Sequence, residues 1–141
     1  MSDLPSAPLP DAILEAAVYV DDLDAAERFY AEVLGLEVIR RAGSRHVFFR
    51  VGSTVLLVFD PSETEKPLTN SDLPVPPHGA RGPGHVCFAM SREAIAAMEQ
   101  RLCAAGVAVD AAFDWPNGAR SLYVRDPAGN SVEFAEPRLW F

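Results

Sequence analysis

The stretch D-P-A-G-N-S-V-E-F, residues 126–134, decides the fold of this chain. Asp126, Pro127 and Gly129 occupy the first, second and fourth positions of a type I turn, where each is sterically favoured. Beyond the turn, small or polar residues alternate with apolar ones, which predicts a strand. Glu133 shares one face of this strand with two small residues, so its carboxylate is expected to face a cavity. Burying a carboxylate is costly unless it is hydrogen-bonded, paired or metal-bound, so Glu133 is the first candidate functional residue.

Length, charge and cysteine content restrict the class of protein. The 141 residues suffice for one domain with a real core. A net charge of −8 without a basic stripe argues against nucleic acid and anionic membrane surfaces as partners. No apolar run approaches the roughly 20 residues of a membrane span, and the N-terminus lacks the basic start of a signal peptide. Cys87 and Cys103 fit no zinc knuckle or disulfide framework, so a cytoplasmic location is expected.

The first half of the chain is predicted to have the order β-α-β-β-β. Residues 13–20 are interpreted as a buried strand, interrupted by the charge of Glu15. Asp21 or Asp22 can cap the helix that follows, and Gly35 stands where a left-handed helix end belongs. Three further strands are predicted at residues 36–40, 46–51 and 54–60, the last two joined by the hairpin turn Gly52-Ser53. His46 is interpreted as a strand-surface residue.

The second half repeats this order after a long loop. Residues 61–83 hold six of the twelve prolines, and loops of this length are usually linkers, lids or binding loops. A strand at 84–90 and a helix from Ser91 to Gly106 follow. Three more strands are predicted at residues 107–112, 121–125 and 130–136.

The predicted fold is therefore α+β, with two βαβββ modules in a single domain of residues 1–141. Module one spans about residues 12–60 and module two about residues 84–136. The tail, residues 137–141, ends in two aromatic residues that either pack on the fold or form a dimer contact. Superposing the modules places Glu15 opposite His85 and Leu57 opposite Glu133.

The chain resembles the vicinal oxygen chelate superfamily, which includes glyoxalase I, extradiol dioxygenases, and fosfomycin- and bleomycin-resistance proteins. The resemblance is carried by V-Y-V-D-D-L-D-A-A-E-R-F-Y-A-E-V-L-G-L at 18–36, G-H-V-C-F at 84–88 and D-P-A-G-N-S-V-E-F at 126–134. It implies two βαβββ modules whose mixed sheets curl into a half-open barrel around a divalent metal. It also implies a homodimer in which one site can draw its halves from two chains.

The resemblance implies ligands from the first and last strand of each module, which are Glu15, Leu57, His85 and Glu133 here. Glu15 departs from the His that is most common in several members. Leu57 departs from the glyoxalase pattern, so the expected metal ligands are Glu15, His85 and Glu133. Such a set suits Mn²⁺, Fe²⁺, Ni²⁺ or Zn²⁺. Glu133 matches the position of the catalytic base in glyoxalase-type members.

Other residues are expected to line a pocket for a small organic substrate, although each has a structural alternative. These residues are Tyr19, Leu57, Phe59, Cys87, Trp115 and Arg120. Glu15 and Glu133 have an alternative too, which is an internal ion pair with an arginine such as Arg50 or Arg120.

Two functions follow from the resemblance. The first is a metal-dependent enzyme (lyase, isomerase, transferase or dioxygenase) acting on a small oxygen-rich molecule. The second is a metal-free protein of the bleomycin-resistance type that sequesters a drug-like ligand. The Glu15, His85 and Glu133 set favours the enzyme, and the apolar Leu57 favours the binding protein.

Overall fold

Two four-stranded mixed sheets form the framework of the protein. The computed structural model describes residues 3–68 and 72–141. Sheet one contains β1 Glu15–Tyr19, β2 Glu37–Ala42, β3 His46–Val51 and β4 Thr54–Phe59. Sheet two contains β5 His85–Ala89, β6 Val109–Asp114, β7 Arg120–Arg125 and β8 Ser131–Ala135.

The two sheets have the same strand order, which confirms the α+β fold and the repeated βαβββ pattern. The orders are β1-β4-β3-β2 and β5-β8-β7-β6. In each sheet the first strand of the module runs parallel to the last, and the other pairs are antiparallel. The predicted hairpin between β3 and β4 is present, with Gly52 at a φ of +57°.

The helices begin and end at the predicted capping residues. Helix α1, Leu23–Glu27, continues as a π-helical segment, Arg28–Val33, and α3 spans Arg92–Ala104. The side chain of Asp22 accepts a hydrogen bond from the Ala25 amide, and that of Ser91 accepts one from the Ala94 amide. Gly35 and Gly106 follow the helices at φ values of +86° and +78°.

Two of the boundaries that differ from the sequence prediction have a clear local cause. Residues 61–83 begin with a one-turn helix, α2 Pro61–Thr64, rather than loop. Asp60 caps it by accepting a 2.9 Å hydrogen bond from the Ser62 amide, and proline suits a first helical position. Strand β6 begins at Val109, not at 107, because the Val107 amide is taken by the carbonyl of Leu102 at the end of α3.

The core lies between each sheet and its helix, since α1 packs on sheet one and α3 on sheet two. Its large, fully buried side chains include Tyr30, Phe49, Leu56, Ile95, Leu102, Leu122 and Phe134. The opposite face of each sheet carries the candidate functional residues. Among the described residues, no helix is long and apolar enough to cross a bilayer.

The predicted type I turn is present and it links the two modules. The Gly129 amide donates to the Asp126 carbonyl at 2.9 Å, and Gly129 has a φ of +88°. Asp126 is buried, and its carboxylate accepts four hydrogen bonds. The donors are the Tyr30 hydroxyl at 2.8 Å, the Asn130 side-chain amide at 2.9 Å, and the backbone amides of Ala128 and Asn130 at 3.0 and 2.9 Å. Burial and the neighbouring carboxylate raise the pKa of the Tyr30 phenol, which therefore stays a donor.

Asn130 completes the link between the modules. Its side-chain amide donates to the Tyr19 carbonyl at 3.0 Å, and its side-chain oxygen accepts from the Gly84 amide at 2.7 Å. Tyr19 ends β1 and Gly84 precedes β5. The C-terminal end of β1 therefore lies beside the N-terminal end of β5.

The aromatic tail does not pack on the fold. A short 3-10 helix, Pro137–Leu139, precedes it, and Trp140 and Phe141 are 81% and 100% exposed. Of the two predicted roles for these side chains, packing on this chain is wrong. A dimer contact stays a prediction.

Candidate functional site

The strand register relates the candidate residues of the two modules. The cross-strand pairs are Glu15 with Val55 and Ala17 with Leu57 in sheet one, and His85 with Ser131 and Cys87 with Glu133 in sheet two. Glu15 thus occupies the position in module one that His85 has in module two. Leu57 likewise occupies the position of Glu133.

His85 and Glu133 converge on the face of sheet two that α3 does not cover. Nε2 of His85 lies 3.3 Å from Oε1 of Glu133, and Nδ1 lies 3.1 Å from the carbonyl oxygen of Ser131. A carbonyl only accepts, so Nδ1 carries a hydrogen, and Nε2 of a neutral imidazole then presents a lone pair. Two acceptors that face each other need a positive charge between them, either a proton or a metal cation.

The second carboxylate oxygen of Glu133 is fixed by a directional chain of donors. The Ser121 hydroxyl donates to Oε2 at 2.7 Å, and the Trp115 indole donates to the Ser121 oxygen at 2.8 Å. Ser121 is fully buried and Glu133 is only 5% exposed. Oε2 therefore accepts the hydrogen bond from Ser121, whereas Oε1 faces His85.

Two protonated groups complete the surroundings of Glu133. Partial burial and the negative charge of Glu133 raise the pKa of the Cys87 thiol to about 12. Burial and a hydrogen bond to Glu133 raise the pKa of the Tyr123 phenol to about 12. The Tyr123 ring also stacks against His85, with ring centroids 6.3 Å apart. At neutral pH both groups therefore stay uncharged.

The His85 and Glu133 pair fits part of a divalent metal site. Two neighbouring ligands, each about 2.1 Å from one ion, lie roughly 3 Å apart, close to the 3.3 Å between Nε2 and Oε1. A hydrogen bond from the far imidazole nitrogen to a carbonyl, and one to the far carboxylate oxygen, are typical of metal ligands. Imidazole and carboxylate donors suit the metals predicted from the sequence.

Glu15 does not join this pair in the same chain. Across residues 3–68 and 72–141, no three His, Cys, Asp or Glu side chains are grouped closely enough to hold a metal. The reason is the arrangement of β1 and β5. The C-terminal end of β1 lies beside the start of β5, and Glu15 stands at the other end of β1, about 13 Å along the strand.

The predicted ion pairs of the two glutamates with arginine are wrong. Arg50 pairs with Glu37 at 3.1 Å, and Arg120 pairs with Asp114 at 3.5 Å. In the described part of the chain Glu15 has no ion pair, and Glu133 contacts Ser121 and His85 instead of an arginine.

The predicted pocket residues are divided between three places. Tyr19, Leu57 and Phe59 line a cavity of about 810 Å³ over sheet one, which also includes Glu15. Cys87 lines a cavity of about 640 Å³ that extends along β1 and β5 and contains both Glu15 and His85. Trp115 and Arg120 line neither of these two cavities. The Trp115 indole donates a hydrogen bond to Ser121, and Arg120 forms a surface ion pair with Asp114.

Ser121 and Tyr123 are functional candidates that sequence reasoning missed. Both lie on β7, where Tyr123 pairs with Glu133 and Ser121 pairs with Ala135. Alternation places them on the face of Glu133, but only the register shows that they are its neighbours.

The roof of the cavity over sheet one comes from the proline-rich segment. It is formed by Leu68, Leu73, Val75, Pro76, Pro77 and His78. The Tyr19 hydroxyl and His78 Nδ1 form a 2.6 Å hydrogen bond, and the His78 ring packs edge-on against Phe59 at 4.6 Å. The roof is thereby tied to the sheet.

Removing this hydrogen bond should loosen the roof. We expect Tyr19→Phe to raise the amide exchange rate of residues 72–78 by about fivefold, since one hydrogen bond contributes about 1 kcal/mol. Hydrogen exchange followed by mass spectrometry measures this exchange rate. Tyr123→Phe, which removes a hydroxyl from sheet two, is the control, and equal exchange in both variants would contradict the role of Tyr19.

The comparisons with known proteins agree with the fold. Residues 12–134 match the family described as the Glyoxalase/Bleomycin resistance protein/Dioxygenase superfamily. The structure is similar to that of lactoylglutathione lyase from Agrobacterium tumefaciens, with a TM-score of 0.88 and 46% identity over 93% of this chain and 97% of that chain.

A second similar structure is a glyoxalase/bleomycin resistance protein/dioxygenase from Nocardioides. Its TM-score is 0.69 and its identity 22%, over 93% of this chain and 85% of that chain. A search of the curated proteins found no match. With most of its length matched by the family and 46% identity to one solved relative, the chain belongs to the Glyoxalase/Bleomycin resistance protein/Dioxygenase superfamily.

Proposed function

We propose that the protein is a metal-dependent enzyme that acts on a small oxygen-rich molecule. The observation that carries the proposal is the pair of acceptors, His85 Nε2 and Glu133 Oε1, that face each other at 3.3 Å. Both are held by hydrogen bonds at their far ends, so the pair is organised for a cation. Mn²⁺, Fe²⁺, Ni²⁺ and Zn²⁺ are the metals that such donors suit.

The residues of the chain then have separate roles. The metal, when bound, supplies a Lewis acid that polarises a substrate oxygen. Glu133 Oε1 accepts or returns a proton of the substrate, as a general base next to the reacting carbon. Ser121 and Trp115 keep the carboxylate oriented, and the protonated Cys87 and Tyr123 carry no charge that would compete with it.

We also propose that the third ligand, Glu15, comes from a second copy of the chain. In support, Glu15 lies on the face of sheet one that α1 does not cover, at the end of β1 that is distant from His85. It has no ion pair among the described residues. A homodimer that pairs sheet one of one protomer with sheet two of its partner would bring the three ligands together. The free cysteines are consistent with the proposed cytoplasmic location.

Mixing two inactive variants tests the shared site. Glu15→Ala and Glu133→Ala are each expected to lose activity and metal. If protomers are unfolded together and refolded, half of the dimers are mixed, and one of the two sites in each mixed dimer has all three ligands. About one quarter of the sites should therefore recover metal. No recovery in mixed dimers, isolated through a different affinity tag on each variant, would contradict the shared site.

The first reaction to assay is suggested by the relative from Agrobacterium tumefaciens, a lactoylglutathione lyase. The test substrate is the adduct of methylglyoxal with glutathione. It is assayed with four samples of the protein, each loaded with one of the four metals. Leu57 replaces a fourth ligand by an alkyl side chain, so the metal here would have one protein ligand fewer. The absence of turnover with every metal would exclude this reaction.

A metal-free binding protein is the second candidate function. The apolar cavity of about 810 Å³ over sheet one, with Leu57 in its floor, favours it. Metal content decides between the two functions. Protein purified without a histidine tag should hold close to one metal ion per site if it is the enzyme. Protein that retains none of the four metals after loading would support the binding protein.

Ser121 is expected to act on the metal through Glu133. We expect Ser121→Ala to weaken metal affinity by about 10- to 100-fold, as is usual when a group that orients a ligand is lost. Competition with a fluorescent chelator measures the affinity. Ser131→Ala is the matched control, because only the backbone carbonyl of Ser131 contacts His85. Equal affinities of Ser121→Ala and the unmodified protein would contradict this role.

A further inference from the structure

The cavity over sheet one contains cationic side chains that lack acidic partners. Arg40 and Arg45 both line it, and neither forms an ion pair with a carboxylate in the described part of the chain. The guanidinium of Arg45 donates to the carbonyl of Glu63, at 3.3 Å. Every other arginine near these strands has an acidic partner: Arg41 contacts Asp24, and Arg50 contacts Glu37. In a chain of net charge −8, two arginines of one cavity that form no ion pair among the described residues mark it as a site for an anion.

His46 lies in the same cavity with its polar atoms unused. Its ring stacks on Phe48, with centroids 4.1 Å apart, and meets Phe59 edge-on at 5.9 Å. Both ring nitrogens are shielded from solvent, and neither has a hydrogen-bond partner among the described residues. The interpretation of His46 as a strand-surface residue is therefore wrong, because the aromatic rings around it exclude water.

His46 is uncharged at neutral pH and can still donate one hydrogen bond. Burial and the nearby charges of Arg45 and Arg40 lower the pKa of its imidazole. A neutral imidazole has one donor and one acceptor nitrogen. Leaving both unpaired is unfavourable, but a ligand in the cavity does not reach nitrogens that solvent does not reach. His46 therefore contributes its stacked ring to the wall of the cavity.

The remaining walls are aromatic and apolar. Tyr19, Phe48 and Phe59 form the floor of the cavity, and Val75 and Pro76 lie in its roof. Stacked and edge-on contacts are present between Tyr19 and Phe59 and between Phe48 and Phe59, at 5.9 and 5.5 Å. Walls of this kind favour the binding of a flat apolar ligand group over a flexible polar one.

We propose that this cavity binds an organic anion with a flat, aromatic or apolar body, whose anionic group is held by Arg40 and Arg45. The inference rests on the proposed function, because the cavity also contains Glu15 and would hold the substrate of the same site. His46 pairs with Phe59, and Phe59 pairs with Tyr19, at the end of the strands opposite to Glu15. The anionic group therefore lies about 13 Å along β1 from Glu15, the proposed metal ligand. A ligand that spans this distance is about as long as two linked aromatic rings.

A matched pair of probes tests the charge requirement. Biphenyl-4-carboxylate and biphenyl-4-carboxamide have the same shape and differ in charge. Isothermal titration calorimetry should show at least about tenfold tighter binding of the carboxylate. Arg45→Gln and Arg40→Gln should each reduce this preference. Arg50→Gln is the control, because Arg50 lies on the same strand as His46 but pairs with Glu37 outside the cavity.

The outcomes separate this inference from the metal-dependent function. The titrations are repeated with a chelator and with the Glu133→Gln variant. Anion preference that persists without metal supports the cavity, whatever the metal measurements show. Anion preference that disappears with the metal overturns the inference, because the metal would then hold the carboxylate. Equal affinity for both probes, or an equal loss in Arg50→Gln and Arg45→Gln, also overturns it.

Discussion

Replacing Glu133 by glutamine is expected to abolish tight metal binding and to lower turnover by about 10³-fold. The variant keeps the size of the side chain, and Ser121 can still donate to its oxygen. It removes the negative charge that faces His85 at 3.3 Å, and with it the group assigned to proton transfer. Metal content by mass spectrometry and kcat/KM in reloaded protein measure the two effects separately.

Asp114→Asn is the matched control for Glu133→Gln. Asp114 is an exposed carboxylate of sheet two that pairs with Arg92 at 3.0 Å on the protein surface. Its loss should leave metal content and turnover unchanged, because exposed ion pairs contribute little. A Glu133→Gln variant that retains a full complement of metal would refute the assignment of Glu133 as a ligand.

The Asp126→Ala variant should have the largest effect on stability, a loss of about 4 kcal/mol in the free energy of unfolding. The carboxylate is buried and accepts four hydrogen bonds, and one donor, the Tyr30 hydroxyl, comes from module one. An alanine at this position leaves the four donors without an acceptor at a buried site. Urea unfolding followed by circular dichroism measures the change.

Two further variants make the test of Asp126 quantitative. Tyr30→Phe removes one of the four donors and should cost about 1–2 kcal/mol. Asp110→Ala breaks an exposed ion pair with Arg125 and should cost less than about 1 kcal/mol. If Asp126→Ala were no more destabilising than Asp110→Ala, the turn would not hold the modules together as described.

The parts of the fold that depend on local sequence could be predicted. The turn at Asp126, the caps at Asp22 and Ser91, and the glycines that end the helices follow from steric rules that act over four or five residues. The start of β6 could not be predicted, because the Val107 amide is consumed by the end of a helix whose length depends on packing.

The burial of Glu133 was predictable from the sequence, but its contacts were not. Glu133 on a strand with small neighbours indicates a buried carboxylate, and the structure has it buried. The Trp115–Ser121–Glu133 chain depends on the register of β7 against β8, which the sequence does not specify. His46 shows the same limit, since one of the two rings that pack against it, Phe59, lies on the neighbouring strand, and the register of that strand is not specified by the sequence.

The side chain of Asn130 also offers a point about which one module could rotate against the other. It binds the Tyr19 carbonyl at 3.0 Å and the Gly84 amide at 2.7 Å, one backbone group from each module. If one module rotated about this amide, displacements would grow with distance from it. Glu15, at the far end of β1, would travel further than His85, which directly follows Gly84. Hinge bending would therefore change the reach of one acid while the imidazole stays nearly still.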